Sequence, residues 1–420
     1  MVKKNMSDSS LVHDISKVEF TLKKINWDFF PAGSISYSQI SPFNCRKFHW
    51  LPATFVAEIP FTLIEVLSKP RAVVYDPFGG IGTTFFQAFL LNRIPLTTEV
   101  GKVPTEFIKS LFILFDPETD FEKLRLSIEK ICANYDNGSK YIKEISSDAD
   151  FHKLSPWYHE ETLNQLAYLY LVNENCEVKS LKSLIHISVS SLLKTVCSQD
   201  RSYGCIADNV YPKKAQMKEK DALSFFKNHA NSLIKEIKGQ FNKNCSDFLK
   251  HYQEILVSNS IINHDIRIKP PIKNKSVDLI VTSPPYPKMV DYVKSQRLSY
   301  YFFGYNIDDD LKFEIGARYK RSKPDALDSY LKDMNLANEN ISNTLKDGGY
   351  LCYVMPAFDT DKQNNAERQQ IVKKVMDNLK NFGLKEELSL ERIIPSRHRL
   401  NNVKWATLEK EKISIYRKRG

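Results

Sequence analysis

Apolar and polar positions follow different rhythms in different parts of the chain. In residues 71–100 a short apolar run, Ala72-Val73-Val74-Tyr75, reads as a strand that ends at Asp76. A glycine-rich turn follows, Asp-Pro-Phe-Gly-Gly-Ile-Gly-Thr-Thr. Then comes a helix over Thr84 to Asn92, and a second strand, Ile94 to Glu99, that again ends in an acid. Strand, glycine loop, helix, strand, acid is the βαβ pattern of a nucleotide-type cofactor site. Between 105 and 256 the rhythm changes. Stretches such as FEKLRLSIEKICANY, ETLNQLAYLYLV and DALSFFKNHANSLIKEIKGQF repeat their apolar positions every three to four residues, as helices do. A polar loop over Ser198 to Lys214 interrupts them. Strand-like runs then return at Ser260 to Asp265, Asp278 to Thr282 and Tyr350 to Met355. A helix over Asn335 to Leu345 is expected to stop at Asp347-Gly348-Gly349, and another over Ile371 to Phe382 at Gly383. Leu388 to Ile394 and Lys412 to Tyr416 are two final strands.

This alternation predicts an α/β chain in three regions: a first half-domain over 1–104, a helical insertion over 105–256, and a second half-domain over 257–420. One stretch breaks the pattern. In VDLIVTSPPYPKMVDY, Val277 to Tyr292, a buried strand runs straight into Ser283-Pro284-Pro285-Tyr286. Two prolines give no N–H to a sheet ladder and hold the chain stiff and extended. They do so at the carboxyl end of a strand, where open α/β sheets place their ligands.

Composition narrows the choice of partner. Hydrophobic residues make up 42% of 420, enough for a full core. The formal net charge of +10 is compatible with a polyanion, though many basic proteins have no such partner. The 7 cysteines are scattered, odd in number and without a Cys-x-x-Cys pair. They point to free thiols in a reducing cytosol rather than to zinc or a disulfide framework. No metal partner is expected. The first residues, MVKKNMSDSSLVHD, contain no apolar core of a signal peptide, and no stretch approaches the roughly 20 apolar residues of a membrane span. The expectation is a cytoplasmic protein with no membrane partner, associated with the nucleoid if its partner is DNA.

The candidate chemistry sharpens this. Gly79, Gly80 and Gly82 let backbone approach a ligand, and the following helix turns its N–H groups to the same place. A carboxylate at Asp76 would repel a phosphate and suits an amine. Glu99 can accept both hydroxyl hydrogens of a ribose. An adenosine carrying an amino acid, S-adenosylmethionine (AdoMet), satisfies both. With Thr-Ser-Pro-Pro-Tyr downstream, the sequence resembles the amino-methylating DNA methyltransferases, which modify N4 of cytosine or N6 of adenine. The resemblance covers roughly 45–104 and 256–418. It implies a Rossmann-like class I AdoMet-dependent methyltransferase fold, mostly parallel with an antiparallel hairpin at one edge. It implies Asp76, Pro77, Phe78, Gly79, Gly82, Thr83 and Thr84 as the cofactor loop, Glu99 as the ribose acid, and Asp265 in His264-Asp265-Ile266-Arg267 as a contact to the adenine end. Upstream, Phe48-His49-Trp50-Leu51-Pro52-Ala53-Thr54-Phe55 is similar to the segment whose aromatic, here Phe55, packs on the cofactor; Thr54 stands where the family has lysine.

In that family Ser283, Pro284, Pro285 and Tyr286 would be the catalytic residues. An exocyclic amine is a poor nucleophile because its lone pair is delocalised into the ring. Ser283 Oγ and the Pro284 carbonyl can accept its hydrogens, and Tyr286 can stack on a base extruded from the duplex. Ser rather than Asp or Asn at 283 accompanies N4-cytosine in the family, while N6-adenine stays open as the alternative. A Pro-Cys pair, which C5-cytosine methylation would need, does not occur. The implied partners are double-stranded DNA and, by analogy, a restriction endonuclease acting on the same site. The insertion is the leading candidate for target recognition. Two basic segments are candidate DNA contacts: Arg318, Lys320 and Arg321 after the catalytic strand, and Arg397, Arg399 and Lys404 between the last two strands. Each also reads as ordinary polar surface. Ser-Pro-Pro-Tyr by itself could be a proline turn, and an inactive DNA-binding subunit with the same fold is a further reading. An RNA or protein substrate ranks lower. Trp157, Tyr168 and Tyr170 fit helix core better than base stacking.

Overall fold

The computed structural model describes residues 42–54, 56–199, 203–241, 248–360, 365–394 and 408–420. Phe55, Arg397, Arg399 and Lys404 lie outside the described residues. The first half contributes α1 (Glu58–Leu67), β1 (Val73–Asp76), α2 (Thr83–Leu90), β2 (Ile94–Glu99) and α3 (Lys102–Leu114). The insertion contributes α4 (Phe121–Ala133), α5 (Glu160–Glu174), α6 (Lys179–Val196), α7 (Tyr203–Ala207), α8 (Ala222–Phe241) and α9 (Phe248–Val257). Then follow β3 (Ile261–Asn263), β4 (Val277–Thr282), the short helices α10 (Tyr292–Ser295), α11 (Arg297–Phe303) and α12 (Ile307–Leu311), α13 (Ala326–Thr344), β5 (Leu345–Ala357), α14 (Asn365–Asn378), β6 (Leu384–Ile393) and β7 (Lys410–Lys418).

The strands form a seven-stranded sheet in the order β3-β2-β1-β4-β5-β7-β6. β3, β2, β1, β4 and β5 pair in parallel, and β7 runs antiparallel to both β5 and β6. This is the expected Rossmann-like sheet with one reversed strand in its edge hairpin. The central strands β1, β4 and the second part of β5 read as largely apolar runs because both their faces are covered. Val74, Leu279, Val281 and Cys352 pack with Ile59, Leu63 and Ala88 on the α1 and α2 side. Their neighbours Tyr75, Ile280, Leu351 and Tyr353 face Met334, Ala337, Ile371 and Val375 of α13 and α14. Each such aliphatic side chain, fully buried, contributes about 1.5–3 kcal/mol.

The helical insertion is built onto this sheet rather than beside it. One apolar cluster starts at Phe85, Phe86 and Phe89 of α2, takes in Phe107 and Phe112 of α3, and continues through Trp157, Leu166, Ile187, Phe226 and Ile237. Trp157 and Tyr168 are buried in that core, and Tyr170 is partly buried against it. The 104/105 boundary falls inside α3, whose Phe107 and Ile108 belong to the same cluster, so the inserted part begins after that helix. Two other boundaries move. α13 begins at Ala326, well before Asn335, because Tyr330 continues its buried stripe. It ends at Thr344, and Asp347-Gly348-Gly349 lies within β5, where the pairing with β4 shifts register between Val277 and Leu279. Among the described residues no helix is long and apolar enough to cross a membrane.

Candidate functional site

The carboxyl ends of β3, β2, β1 and β4 open side by side on one cavity holding about 980 Å³ of empty space, its mouth included. The loop after β1 forms its floor through Pro77 to Ile81 and Thr83. Gly79 is there because nothing larger fits: its N–H donates to the Thr98 carbonyl at 2.9 Å, and an added Cβ would lie 2.1 Å from Thr97 Oγ1. Gly82, at φ 81°, starts α2, and a side chain there would press on Ile108 and Phe86.

Glu99 stands at the tip of β2 and is tied to that loop. Its Oε2 accepts the Gly80 N–H and its Oε1 the Gly101 N–H, both at 2.8 Å. Burial pushes its carboxyl up to about 7 against those two N–H bonds, with the charges of Asp76 and Asp310 adding to the rise. Each oxygen keeps a lone pair for a further donor, so a vicinal diol fits here. Past β3, Asp265 is on the wall with His264 and Ile266. Both its oxygens hold the Arg267 guanidinium, at 2.7 to 3.0 Å, and Arg267 also reaches Asp333 at 3.1 Å.

At the tip of β4, Ser283 and Pro285 reach the same cavity. Ser283 Oγ lies 3.2 Å from the Val354 carbonyl of β5 and 3.4 Å from the Tyr286 hydroxyl. A carbonyl only accepts, so the serine hydrogen is directed to Val354 and the Oγ lone pairs stay available as acceptors. Pro285 is anchored by the Tyr330 hydroxyl, which donates to its carbonyl at 2.9 Å.

Several candidate residues sit elsewhere. Asp76 lies beneath the floor rather than on it: it is 1% exposed, and its Oδ1 accepts the Thr282 hydroxyl at 2.6 Å and the Phe78 N–H at 3.1 Å. Burial outweighs those bonds and raises its carboxyl to about 6. Its local work is to join the tips of β1 and β4. Thr84 does the same for α2, donating to the Val281 carbonyl at 3.1 Å. Tyr286 is also away from the cavity wall. It is 4% exposed, and its hydroxyl donates to Glu411 Oε1 of β7 at 3.0 Å, while Glu411 pairs with Arg392 of β6. The Arg318 guanidinium is engaged by the buried Asp291 and by Asp208, and the Lys320 ammonium donates to the Glu314 carbonyl at 2.6 Å. Both are anchors within the fold: acids from the post-β4 loop and the insertion converge on Arg318, and Lys320 ties down a main-chain carbonyl. Arg321 is exposed.

Most of the remaining wall was not marked in the sequence. It comprises Leu51 to Thr54 before α1, Tyr292, Val293 and Gln296 around α10, Tyr300 of α11, and Phe313, Glu314 and Ile315. Only Leu51 to Thr54 carried a motif signal. Gln296 Nε2 donates to the Trp50 carbonyl at 2.9 Å and so joins two parts of this wall. Glu314 is an isolated acid in an aperiodic stretch, and nothing in its neighbourhood of the sequence marks it.

No protein-family model matches the chain. It is 24% identical over 281 residues to the type II methyltransferase M.MvaI of Kocuria varians, covering 64% of this chain and 59% of that protein. It is 24% identical over 354 residues to the type II methyltransferase M.MjaII of Methanocaldococcus jannaschii, covering 77% of this chain and 62% of that one. The chain is similar to type II methyltransferases. It spans about three fifths of the length of these curated relatives. Among solved structures, the rRNA methyltransferase AviRa of Streptomyces viridochromogenes overlaps 88% of this chain and 89% of its own at 7% identity, with a TM-score of 0.31. So low a score carries no argument.

Proposed function

We propose that the chain is an AdoMet-dependent DNA methyltransferase acting on an exocyclic amino group, with N4 of cytosine as the target. The observation that carries this reading is one shared cavity: Ser283, with its Oγ free to accept, faces the same space as the glycine loop of β1 and Glu99. The residues present fit AdoMet. Glu99 offers two acceptor oxygens to the ribose, Gly79 to Ile81 offer close backbone, and Ile266, Pro104 and Phe313 offer apolar surface to the adenine. Bound there, AdoMet would supply an electrophilic methyl group.

The chain's own residues would then hold the base. Ser283 Oγ and the Pro284 carbonyl accept hydrogens of the target amine and draw its lone pair out of the ring. The Tyr330 bond to the Pro285 carbonyl keeps the proline pair from shifting. Tyr286 contributes here as a brace between Ser283 and Glu411; stacking on an extruded base would require it to leave Glu411. Double-stranded DNA is the substrate, and the names of the relatives support a role in a restriction–modification system. The serine at 283 favours cytosine; the same geometry would also accept the amine of adenine.

Methylating mixed-sequence duplex DNA with labelled AdoMet, digesting it to nucleosides and separating them by mass spectrometry tests this. N4-methylcytosine is expected. N6-methyladenine alone would move the target to adenine, and no labelled base at all would remove the function.

A further inference from the structure

Three carboxylates border the cavity, and they are not equally satisfied. Both oxygens of Glu99 hold backbone N–H groups, and both of Asp265 hold Arg267. Glu314 is 3% exposed. Its Oε1 accepts the Tyr292 N–H, the Val293 N–H lies near the same carboxylate without hydrogen-bond geometry, and among the described residues its buried Oε2 has no hydrogen-bond partner. A buried, unpaired carboxylate oxygen is costly and needs an explanation.

The segment cannot easily relieve the cost by swinging outward. Arg267 donates to the Phe313 carbonyl at 3.2 Å, Lys320 to the Glu314 carbonyl at 2.6 Å, and the Lys288 N–H to the Gly316 carbonyl at 2.8 Å. The nearby cations are committed: Lys320 to that main-chain carbonyl, Arg318 to Asp291 and Asp208. Burial, with the Asp291 charge beside it, pushes the Glu314 carboxyl up to about 8, against the Tyr292 and Val293 N–H groups and Lys320. Near neutral pH the carboxyl therefore tends to hold its proton, and a positively charged donor beside Oε2 would favour the ionised, accepting form.

We propose that Glu314 is a ligand-binding residue of this cavity, whose Oε2 accepts a hydrogen from an amino or ammonium group of what binds there. This rests on the function proposed above. Two sources carry that chemistry: the amino groups of AdoMet, and the exocyclic amine of the target base. Glu314→Gln separates the idea from a structural role, because the amide oxygen can keep the Tyr292 N–H while the amide nitrogen presents a donor where an acceptor stood.

The test compares wild type and E314Q, as full chains, in three measurements: melting temperature, AdoMet affinity by calorimetry without DNA, and affinity for duplex DNA with or without the target amino group. An AdoMet affinity at least about tenfold weaker in E314Q, at unchanged melting temperature, supports the cofactor as the source. Unchanged AdoMet affinity, together with loss of the preference for DNA bearing the amine, supports the base. A variant equal to wild type in both affinities overturns the inference, as does a fall in melting temperature alone. If wild type itself binds neither AdoMet nor DNA, the functional reading fails and this inference falls with it. If wild type binds both and E314Q matches it, only the role of Glu314 is lost.

Discussion

On the sheet side of the cavity, Glu99 takes its hydrogen bonds from Gly80, 19 residues away, and Gly101, 2 residues away. On the facing side, Glu314 takes one from Tyr292, 22 residues away, and is fixed by Arg267, Lys288 and Lys320. The first wall is made by backbone at strand tips, and its donors follow from turn chemistry that a sequence displays. The second wall is made by three stretches with no common period, and is held by contacts among them and with Arg267, Lys288 and Lys320. The difference teaches which contacts a sequence displays: donors set by a local turn are legible, and contacts assembled from distant stretches are not.

Variants can break or sharpen that contrast. The largest effect is expected at the border between the walls. Ser283→Ala should lower the methyl-transfer rate on the order of 100-fold and leave AdoMet affinity within about twofold. Single-turnover kinetics beside calorimetry checks this, and equal rates would detach Ser283 from the chemistry.

Next comes the backbone wall. Gly79→Ala would drive a Cβ onto Thr97 Oγ1, at a cost of about 1–3 kcal/mol in urea unfolding. AdoMet affinity should fall with it. Full stability in the variant would mean the close approach of loop and β2 is not as drawn here.

Tyr286→Phe should cost about 1 kcal/mol, because Glu411 loses a buried donor but keeps Arg392. A ring standing free on the cavity wall would show no such loss, so an unchanged melting temperature argues for Tyr286 as a base platform instead of a brace.

A further effect is on pH dependence. Glu99 titrates near 7 in the folded chain against an ordinary 4.5, so the folded state holds the proton more tightly. Its contribution is therefore most favourable below pH 4.5 and declines as pH rises to about 7. Wild type should lose stability relative to Glu99→Gln across that window, then run parallel to it. Chemical unfolding at a series of pH values reads the slope, and a constant difference between the two proteins would refute it.

The βαβ unit, the paired acids at strand ends and the proline-broken strand were all legible, because strand alternation, glycine and proline each act within a few residues. The 104/105 division falls inside α3, because a helix that closes a crossover and a helix that opens an insertion share one period. Arg318 and Lys320 were read as candidate DNA contacts, and their partners, Asp208, Asp291 and the Glu314 carbonyl, are not marked by local pattern. Asp76, Thr84 and Tyr286 were read as ligand contacts because a motif says which residues occur together, not which way each side chain turns.

The parallel sheet with its hairpin edge was implied by the family resemblance; by itself the sequence determined the βαβ unit, the glycine loop ahead of Glu99, and the serine at the end of β4. Those depend on short-range sterics and on periodic burial. Tertiary structure alone decided that Asp76 joins strands beneath the floor, that Tyr286 bonds to Glu411, and that Glu314 has a buried oxygen with no partner among the described residues beside the cavity. Each of these turns on the direction of one side chain toward a residue distant in the chain, and that direction exists only once the packing around it has formed.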